Sequence, residues 1–293
     1  MFIATLIAAG TLSAGDISSA MDRLSAAGCA PGGHGWIEEG MAADLLFGMA
    51  PDAARDALEG AFAATDVVVQ PSSSRSKALL IADMDSTMIT VECIDELADY
   101  AGIKPQIAEI TERAMRGELD FEAALDARVA LLKGLDERDI ARCLAERVTI
   151  MPGAKPLVRT MRARGCLTVL VSGGFTRFAE PVAAEIRFDR AIANVLEIAG
   201  GTLTGTVTKP IVGSHTKLAT LQAAIAEQGI APEATLAVGD GANDLAMIEA
   251  AGLGVAYHAK PIVAAAAAAR IDHGDLTALL YAQGIAKQHW VLD

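Results

Sequence analysis

Two carboxylates, Asp83 and Asp85, stand one residue apart at the end of the apolar run 78–82 in the stretch ALLIADMDST. Such a run makes a buried parallel strand. Side chains two apart share a face, so the pair can meet one reacting centre just past the strand end, where open α/β sheets bind ligands. Taken alone, the same residues also make an acidic turn. Three further stretches carry chemistry: VSGGFT at 171–176, HTK at 215–217 and GDGAND at 239–244. Each alone is unspecific. GDGAND serves equally as a strand-to-helix turn with a free-φ glycine and an Asp cap, and Lys217 as a solvated lysine at a helix start. Their order, with each stretch at a strand end or helix start on one edge of a parallel sheet, makes them a set.

The elements that must position this set follow along the chain. Residues 2–8 read as a strand, 16–27 as a helix capped by Asp16, and Gly32 to Gly35 as a turn. Residues 36–49 hold one or two strands, 51–64 a helix opened by Pro51, and 67–69 a strand. This βαβ(β)αβ order predicts a small ferredoxin-like α+β domain over 1–70, followed by the polar linker PSSSRSK at 71–77. A helical block inserted at about 88–150 breaks at 102–105, 117–120 and 134–136. It carries the apolar stripes Ile94, Leu97, Ala98, Ala101 and Phe121, Leu125, Leu132. Strand character returns at 167–171, in a hairpin about Gly200 and Gly201, at 235–238 and at 253–256. Helices lie between them, including 217–227 and the alanine run 264–269. Strands alternating with helices predict an α/β fold, a doubly wound parallel sheet over 78–293.

Composition excludes several classes. A length of 293 residues allows two domains, and a net charge of −13 leaves no basic footprint for nucleic acid or an anionic membrane. The apolar fraction of 52% is largely alanine, without the run of roughly 20 apolar residues that spans a bilayer. The N-terminus lacks a positively charged n-region and reads as mature structure of a cytoplasmic protein. Cys29, Cys93, Cys143 and Cys166 form no CxxC pair and have no histidine at zinc-ligand spacing, so reduced core cysteines are expected. An anionic substrate must then be held by local cations and a metal against the overall field.

On the four motifs, across 78–256, the chain resembles the haloacid dehalogenase superfamily of phosphohydrolases. The stretches DMDSTMITVECIDELA and RGELDFEAALDARVALLKGL make it similar, over roughly three quarters of its length, to the bacterial phosphoserine phosphatases within that superfamily. The resemblance implies a Rossmann-like core with a helical cap inserted after its first strand. It also implies Mg²⁺-dependent hydrolysis of O-phosphoserine to serine and phosphate, the last step of serine biosynthesis, through an aspartyl-phosphate. Carried over residue by residue, Asp83 is the nucleophile and Asp85 the acid and base. The Asp83 carboxylate, the Asp85 backbone carbonyl and the Asp240 carboxylate hold the metal, with Asp244 behind them. Ser172, Gly173 and Lys217 hold the phosphoryl oxygens. Glu92 takes the substrate ammonium, Arg128 its carboxylate, Phe121 shields it and Asn243 adds an amide contact.

Chemistry supports such a set. Phosphate monoesters hydrolyse so slowly that enzymes accelerate them up to ~10²¹-fold, which requires a nucleophile, a proton donor and charge neutralisation together. Oxygen-only ligands suit a hard octahedral cation, hence Mg²⁺. Phe121 also reads as ordinary core packing and Asn243 as a turn residue; His34, His215, His258, His273 and His289 form no ligand or triad pattern. Asp85 separates the chain from dehalogenases and from P-type ATPases, which also need membrane helices. Two neighbouring activities stay open: transfer of the phosphoryl group to an alcohol such as homoserine, and hydrolysis of another small phosphomonoester. The N-terminal domain resembles, more distantly, the amino-acid-binding ACT fold. It is expected to serve either as a regulatory module or in dimerisation, so that a homodimer is one expected assembly.

Overall fold

The computed structural model describes residues 1–115 and 118–292. Arg116 and Gly117, which open the stretch RGELDF and fall at an expected helix break, lie outside the described residues.

The N-terminal part runs β1 (Phe2–Ala8), α1 (Ala14–Ala26), β2 (Pro31–Glu38), β3 (Ala42–Phe47), α2 (Pro51–Leu58) and β4 (Thr65–Pro71). Its strands form a separate antiparallel sheet of order β2-β3-β1-β4, the expected ferredoxin-like arrangement. Strand alternation gives the sheet two apolar faces. Ala4, Leu6, Leu45 and Phe47 pack on Ile17, Leu24, Ala54 and Leu58 of the helices, while Ile7, Ala42 and Val68 join the larger core beside Leu279 and Leu280.

Three local expectations are corrected. Ser13, not Asp16, caps α1: the Asp16 N–H donates to Ser13 Oγ and the Ser13 N–H to Asp16 Oδ2, a capping box that places the acid at the third helical position. Gly32 to Gly35 lie inside edge strand β2, where irregularities at Gly32 and Ile37 absorb the poor strand formers that signal a turn. The helix opened by Pro51 stops at Leu58, and Gly60 at φ +69° leads the chain away.

Segment 71–77 is anchored to both neighbours. The Arg75 guanidinium grips Asp44 with two bonds of 2.6 and 2.7 Å and donates to the Ala282 carbonyl at 3.1 Å. At the start of β4, Asp66 accepts backbone N–H bonds from Asp272, His273 and Gly274 at 2.8, 3.1 and 2.8 Å.

The remaining chain is built on β5 (Leu79–Ala82), followed by α3 (Cys93–Tyr100), α4 (Lys104–Met115), α5 (Phe121–Leu131), α6 (Glu137–Arg147) and α7 (Ala154–Ala163). Next come β6 (Leu167–Phe175), α8 (Thr176–Ile186), β7 (Arg190–Asn194), the hairpin β8 (Leu196–Ala199) and β9 (Thr202–Val207), and α9 (Ser214–Gln228). The chain ends with β10 (Thr235–Gly239), α10 (Leu245–Ala250), β11 (Leu253–Tyr257), α11 (Pro261–Ala266), β12 (Ala269–Ile271) and α12 (Ala278–Ala282). The six-stranded sheet is parallel throughout, in the order β12-β11-β10-β5-β6-β7. Strand order reverses between β5 and β10, and a crevice opens at such a switch point beyond the carboxyl ends of the strands. All four residues of β5 are buried, as helices on both faces require.

The alanine run 264–269 is a further correction: α11 ends at Ala266, and Ala269 opens β12 opposite Val255. Alanine's helix preference is a weak prior beside a vacant ladder at a sheet edge. Helices α3 to α6 form the insertion, closed at its base by an Ile89–Ile150 bridge. Its loop 134–137 is tied to the β8–β9 hairpin by Gly134 N–H to Leu203 O and Glu137 N–H to Gly201 O, 2.8 and 3.0 Å. Among the described residues no helix is long and apolar enough to cross a membrane, and the four cysteines are free and buried.

Candidate active site

The parallel register sets Ala82 level with Val238 and Leu170, so the residues that follow β5 and β10, and the end of β6, meet above the switch point. Asp83 leaves β5 with its N–H still bonded to the Val238 carbonyl at 3.0 Å, and Asp240 follows β10 directly. Lys217, in the first turn of α9, is fully buried, with Nζ 2.6 Å from both Asp83 Oδ1 and Asp244 Oδ1. The other Asp244 oxygen accepts the Gly241 N–H at 3.0 Å. Oxygens of Asp83, Asp240 and Asp244 lie within 4.8 Å of one another, and Thr87 Oγ1 donates to Asp240 Oδ1 at 3.0 Å.

Asp85 is held from two sides. Its Oδ1 accepts the Cys93 N–H at the start of α3, 2.9 Å, and its Oδ2 accepts the Ser172 hydroxyl at 3.4 Å. Ser172 Oγ in turn accepts the Gly174 N–H at 2.8 Å. A Cβ on Gly174 would fall 2.8 Å from Asp85 Oδ2, so only glycine lets the strand pass this carboxylate.

The electrostatics of the group follow from crowding acids in a dry place. Burial, then the Asp244 carboxylate, raise the Asp83 carboxyl well above its usual range against the pull of Lys217. Asp85 is pushed up to about 6 by burial and by Glu92, and Asp240 to about 6 by burial, Asp244 and Glu92. Burial opposes the charge on Lys217, but Asp83 and Asp244 outweigh it and keep the ammonium protonated beyond its ordinary range. Carboxylates forced together in this way are relieved by a cation, and an all-oxygen donor set fits a hard one.

A cavity of about 520 Å³ spans the sheet edge and the inserted helices, lined among others by Asp83, Asp85, Glu92, Phe121, Arg128 and Asp240. Gly173 and Asn243 line it too. Ser86, at φ +54°, donates from its hydroxyl to Glu92 Oε1 at 2.7 Å. The Phe121 ring lies against backbone: a Cβ on Gly173 would meet its Cζ at 3.0 Å, and one on Gly213 its Cδ1 at 3.1 Å. Arg128 Nε donates to the Ala124 carbonyl at 3.2 Å, and the guanidinium has no ion pair among the described residues. Burial draws its pKa down in spite of Asp95, Glu92 and Asp85.

The expected residues therefore sit together, in two layers. Lys217, Ser172 and Asp244 lie beneath the cavity, touching its carboxylates rather than lining it. Sequence reasoning passed over Thr87, Ser86 and Lys260, which lines the cavity and caps α11. Position just past the end of β11, on the working edge, was the available signal for Lys260. It also passed over Asn194 at the end of β7, which bonds Gly173 O, Val212 O and Val212 N and so fixes two loops of the site.

Comparison with known proteins gives the same picture. Residues 80–249 match the haloacid dehalogenase-like hydrolase family. The phosphoserine phosphatase of Streptomyces coelicolor is 44% identical over 234 residues, 79% of this chain and 57% of that protein, so the chain spans little more than half the length of that curated relative. The phosphoserine phosphatase of Idiomarina loihiensis is 43% identical over 218 residues, covering 74% of this chain and 97% of that one. The crystal structure of HAD family hydrolase t0658 from Salmonella enterica serovar Typhi superposes with a TM-score of 0.83 at 30% identity, over 96% of this chain and 98% of that one. With the motif residues converging at the switch point and the family match spanning more than half its length, the chain belongs to the haloacid dehalogenase-like hydrolases.

Proposed function

We propose that the protein is a Mg²⁺-dependent phosphatase that hydrolyses O-phosphoserine to serine and phosphate, closing serine biosynthesis. One observation carries this reading: the cavity above the Asp83–Lys217–Asp244 cluster also presents an acid, Glu92, and the guanidinium of Arg128, which has no ion pair among the described residues. A general phosphatase needs neither, whereas an amino-acid phosphate offers an ammonium to one and a carboxylate to the other. In this reading residues 1–70 form a ferredoxin-like domain, 71–77 connect it, and 88–150 are a cap on a core of 78–293. The buried reduced cysteines accord with a cytoplasmic enzyme.

Asp83, Asp240 and the Asp85 backbone carbonyl would hold Mg²⁺, with Asp244 behind them. Bound there, the ion neutralises phosphoryl charge so that a carboxylate can approach an anion. An Asp83 oxygen attacks phosphorus while Asp85 gives its proton to the departing serine oxygen, leaving serine and an aspartyl-phosphate. Water then attacks that phosphorus as Asp85 takes its proton back, releasing phosphate. A carboxyl raised to about 6 suits both transfers near neutral pH. Lys217 holds Asp83 in place and offsets charge on the phosphoryl group; Gly173 and Asn243 contribute polar contacts, and Phe121 excludes water.

Phosphate release from a panel of small phosphomonoesters tests the reading, with phosphoserine expected to be the preferred substrate. A flat profile would sink it. Added homoserine should leave phosphate as the main product, since phosphohomoserine in its place would make the protein a transferase. Arg128→Ala should lower kcat/KM for phosphoserine about 10²-fold, the loss of a charged hydrogen-bonded pair, and hardly alter turnover of p-nitrophenyl phosphate. Equal losses on both substrates would remove Arg128 from substrate recognition.

Chelation by EDTA should abolish activity and Mg²⁺ restore it. The pH dependence has a definite sign. The ligand carboxyl of Asp240 is raised to about 6, and that of Asp83 also lies above its unfolded value, so protons compete with the metal. The Tm gain on adding Mg²⁺ should be large at pH 7.5 and shrink as pH falls through about 6. A gain independent of pH would place the ion elsewhere.

A second role rests on β2, an edge strand bonded to β3 on one side, where Trp36 is 39% exposed, and on Leu46 of β3, 37% exposed. In this reading the N-terminal domain dimerises or binds an amino acid. Sedimentation of the full chain and of one lacking residues 1–72, with and without serine, separates the two roles.

A further inference from the structure

Beside the amino-terminal ends of β5 and β6, the other end of the strands from Asp83, a second cavity of about 340 Å³ is lined by Ser76, Lys77, Arg164, Cys166, Gln283 and Ile285. These residues come from the segment before β5, the turn between α7 and β6 and the loop after α12, beside the joint where Arg75 grips Asp44. Lys77 is 5% exposed. Its Nζ donates to the carbonyls of Ser74 and Glu233 at 2.6 and 3.1 Å, which leaves one of three ammonium protons. No carboxylate pairs with it among the described residues, and burial draws it down to about 8. Arg164 is exposed, and its guanidinium has no hydrogen-bonded or ionic partner among the described residues. Gln283 Nε2 donates to the Leu279 carbonyl at 2.9 Å and to Met161 Sδ at 3.6 Å.

Buried cations in proteins are paired, because an uncompensated charge out of water is costly. Here one buried cation, Lys77, and one exposed cation, Arg164, share a cavity with no Asp or Glu among the described residues that line it, in a chain whose net charge is −13. A lining of this sign attracts anions locally against the overall field. We propose that this cavity binds a small oxyanion, a phosphate or a carboxylate group, between Lys77 and Arg164. An occupant would bridge the segment leaving the N-terminal sheet to the loop after α12, remote from the catalytic carboxylates.

Titration calorimetry on the full chain tests the site with sulfate as the phosphate-like probe, malonate as the carboxylate probe and chloride at matched ionic strength. One saturable site per chain is expected for sulfate, malonate or both, absent for chloride. It should weaken about 10-fold or more in Arg164→Ala, the loss of a charged hydrogen bond, and persist in Asp83→Asn. Sulfate binding alone assigns a phosphate group, malonate binding alone a carboxylate, and binding of both the shared oxyanion. Lys77→Met should abolish binding; because Lys77 is buried, the exposed Arg164 keeps the test open should that variant fail to fold. No saturable heat with either anion, unchanged affinity in Arg164→Ala, or loss of binding in Asp83→Asn overturns the proposal.

Discussion

Asp83→Asn is expected to lower kcat on phosphoserine by at least ~10⁴-fold and to leave no phosphoenzyme after acid quenching, because an amide cannot take the place of a carboxylate nucleophile. The variant should also be the more stable protein when metal-free. Burial and Asp244 hold the Asp83 carboxyl well above its usual range, so once ionised the folded state carries a charge that the unfolded chain accommodates more easily. A neutral isostere removes that cost while its oxygen can still accept from Lys217 Nζ. The sign follows from linkage: the gain in Tm over the wild type is present above the folded-state pKa and fades as pH falls towards the unfolded value, where the wild-type carboxyl is protonated as well. Inactivity joined to a raised, pH-dependent Tm is the signature of a site that holds strain for function. Normal turnover, or a phosphoenzyme in the variant, would overturn the assignment of Asp83.

Which parts of this arrangement were legible beforehand has a physical pattern. The alternation of buried strands with helices and the acids at strand ends are local features, written in short stretches such as ALLIADMDST and TLAVGDGAND, and the sheet places them as expected. Strand β7 and strand β12 were missed because neither carries its own signal. RAIAN and ARI are short, and they become strands through pairing with the preceding parallel strands β6 and β11 rather than through any pattern of their own. The glycines of β2 failed in the opposite way: a strong turn signal was overridden by pairing with β3. Within the site, residue types were legible but layering was not. Whether a lysine faces substrate or lies under two carboxylates depends on tertiary distances of 2.6 Å that no spacing encodes.

Lys217 is where that layering has its largest consequence, and Lys217→Met tests it. The ammonium is fully buried and equidistant from Asp83 and Asp244, so its removal leaves two carboxylates facing each other with Asp240 nearby. Asp83 then loses the pull that opposes its desolvation, and its carboxyl, the proposed nucleophile, shifts further towards the protonated form. Turnover of phosphoserine should fall by ~10³-fold or more, since both the ionised nucleophile and a buried positive charge are lost. Breaking a buried pair on one side costs about 3–5 kcal/mol, so the metal-free variant should be destabilised on that scale at pH 7.5. The loss should shrink as pH falls through the raised Asp83 pKa, because protonation of that carboxyl removes uncompensated charge. Lys217→Arg should not rescue activity: a planar fork cannot set one compact charge 2.6 Å from both oxygens in a space closed around an ammonium. Circular dichroism at pH 5.5, where the variant remains folded, separates lost catalysis from lost structure. A Lys217→Met protein with wild-type Tm at pH 7.5 and activity within about 10-fold of the parent would mean that Asp83 is held and ionised by something other than this buried charge.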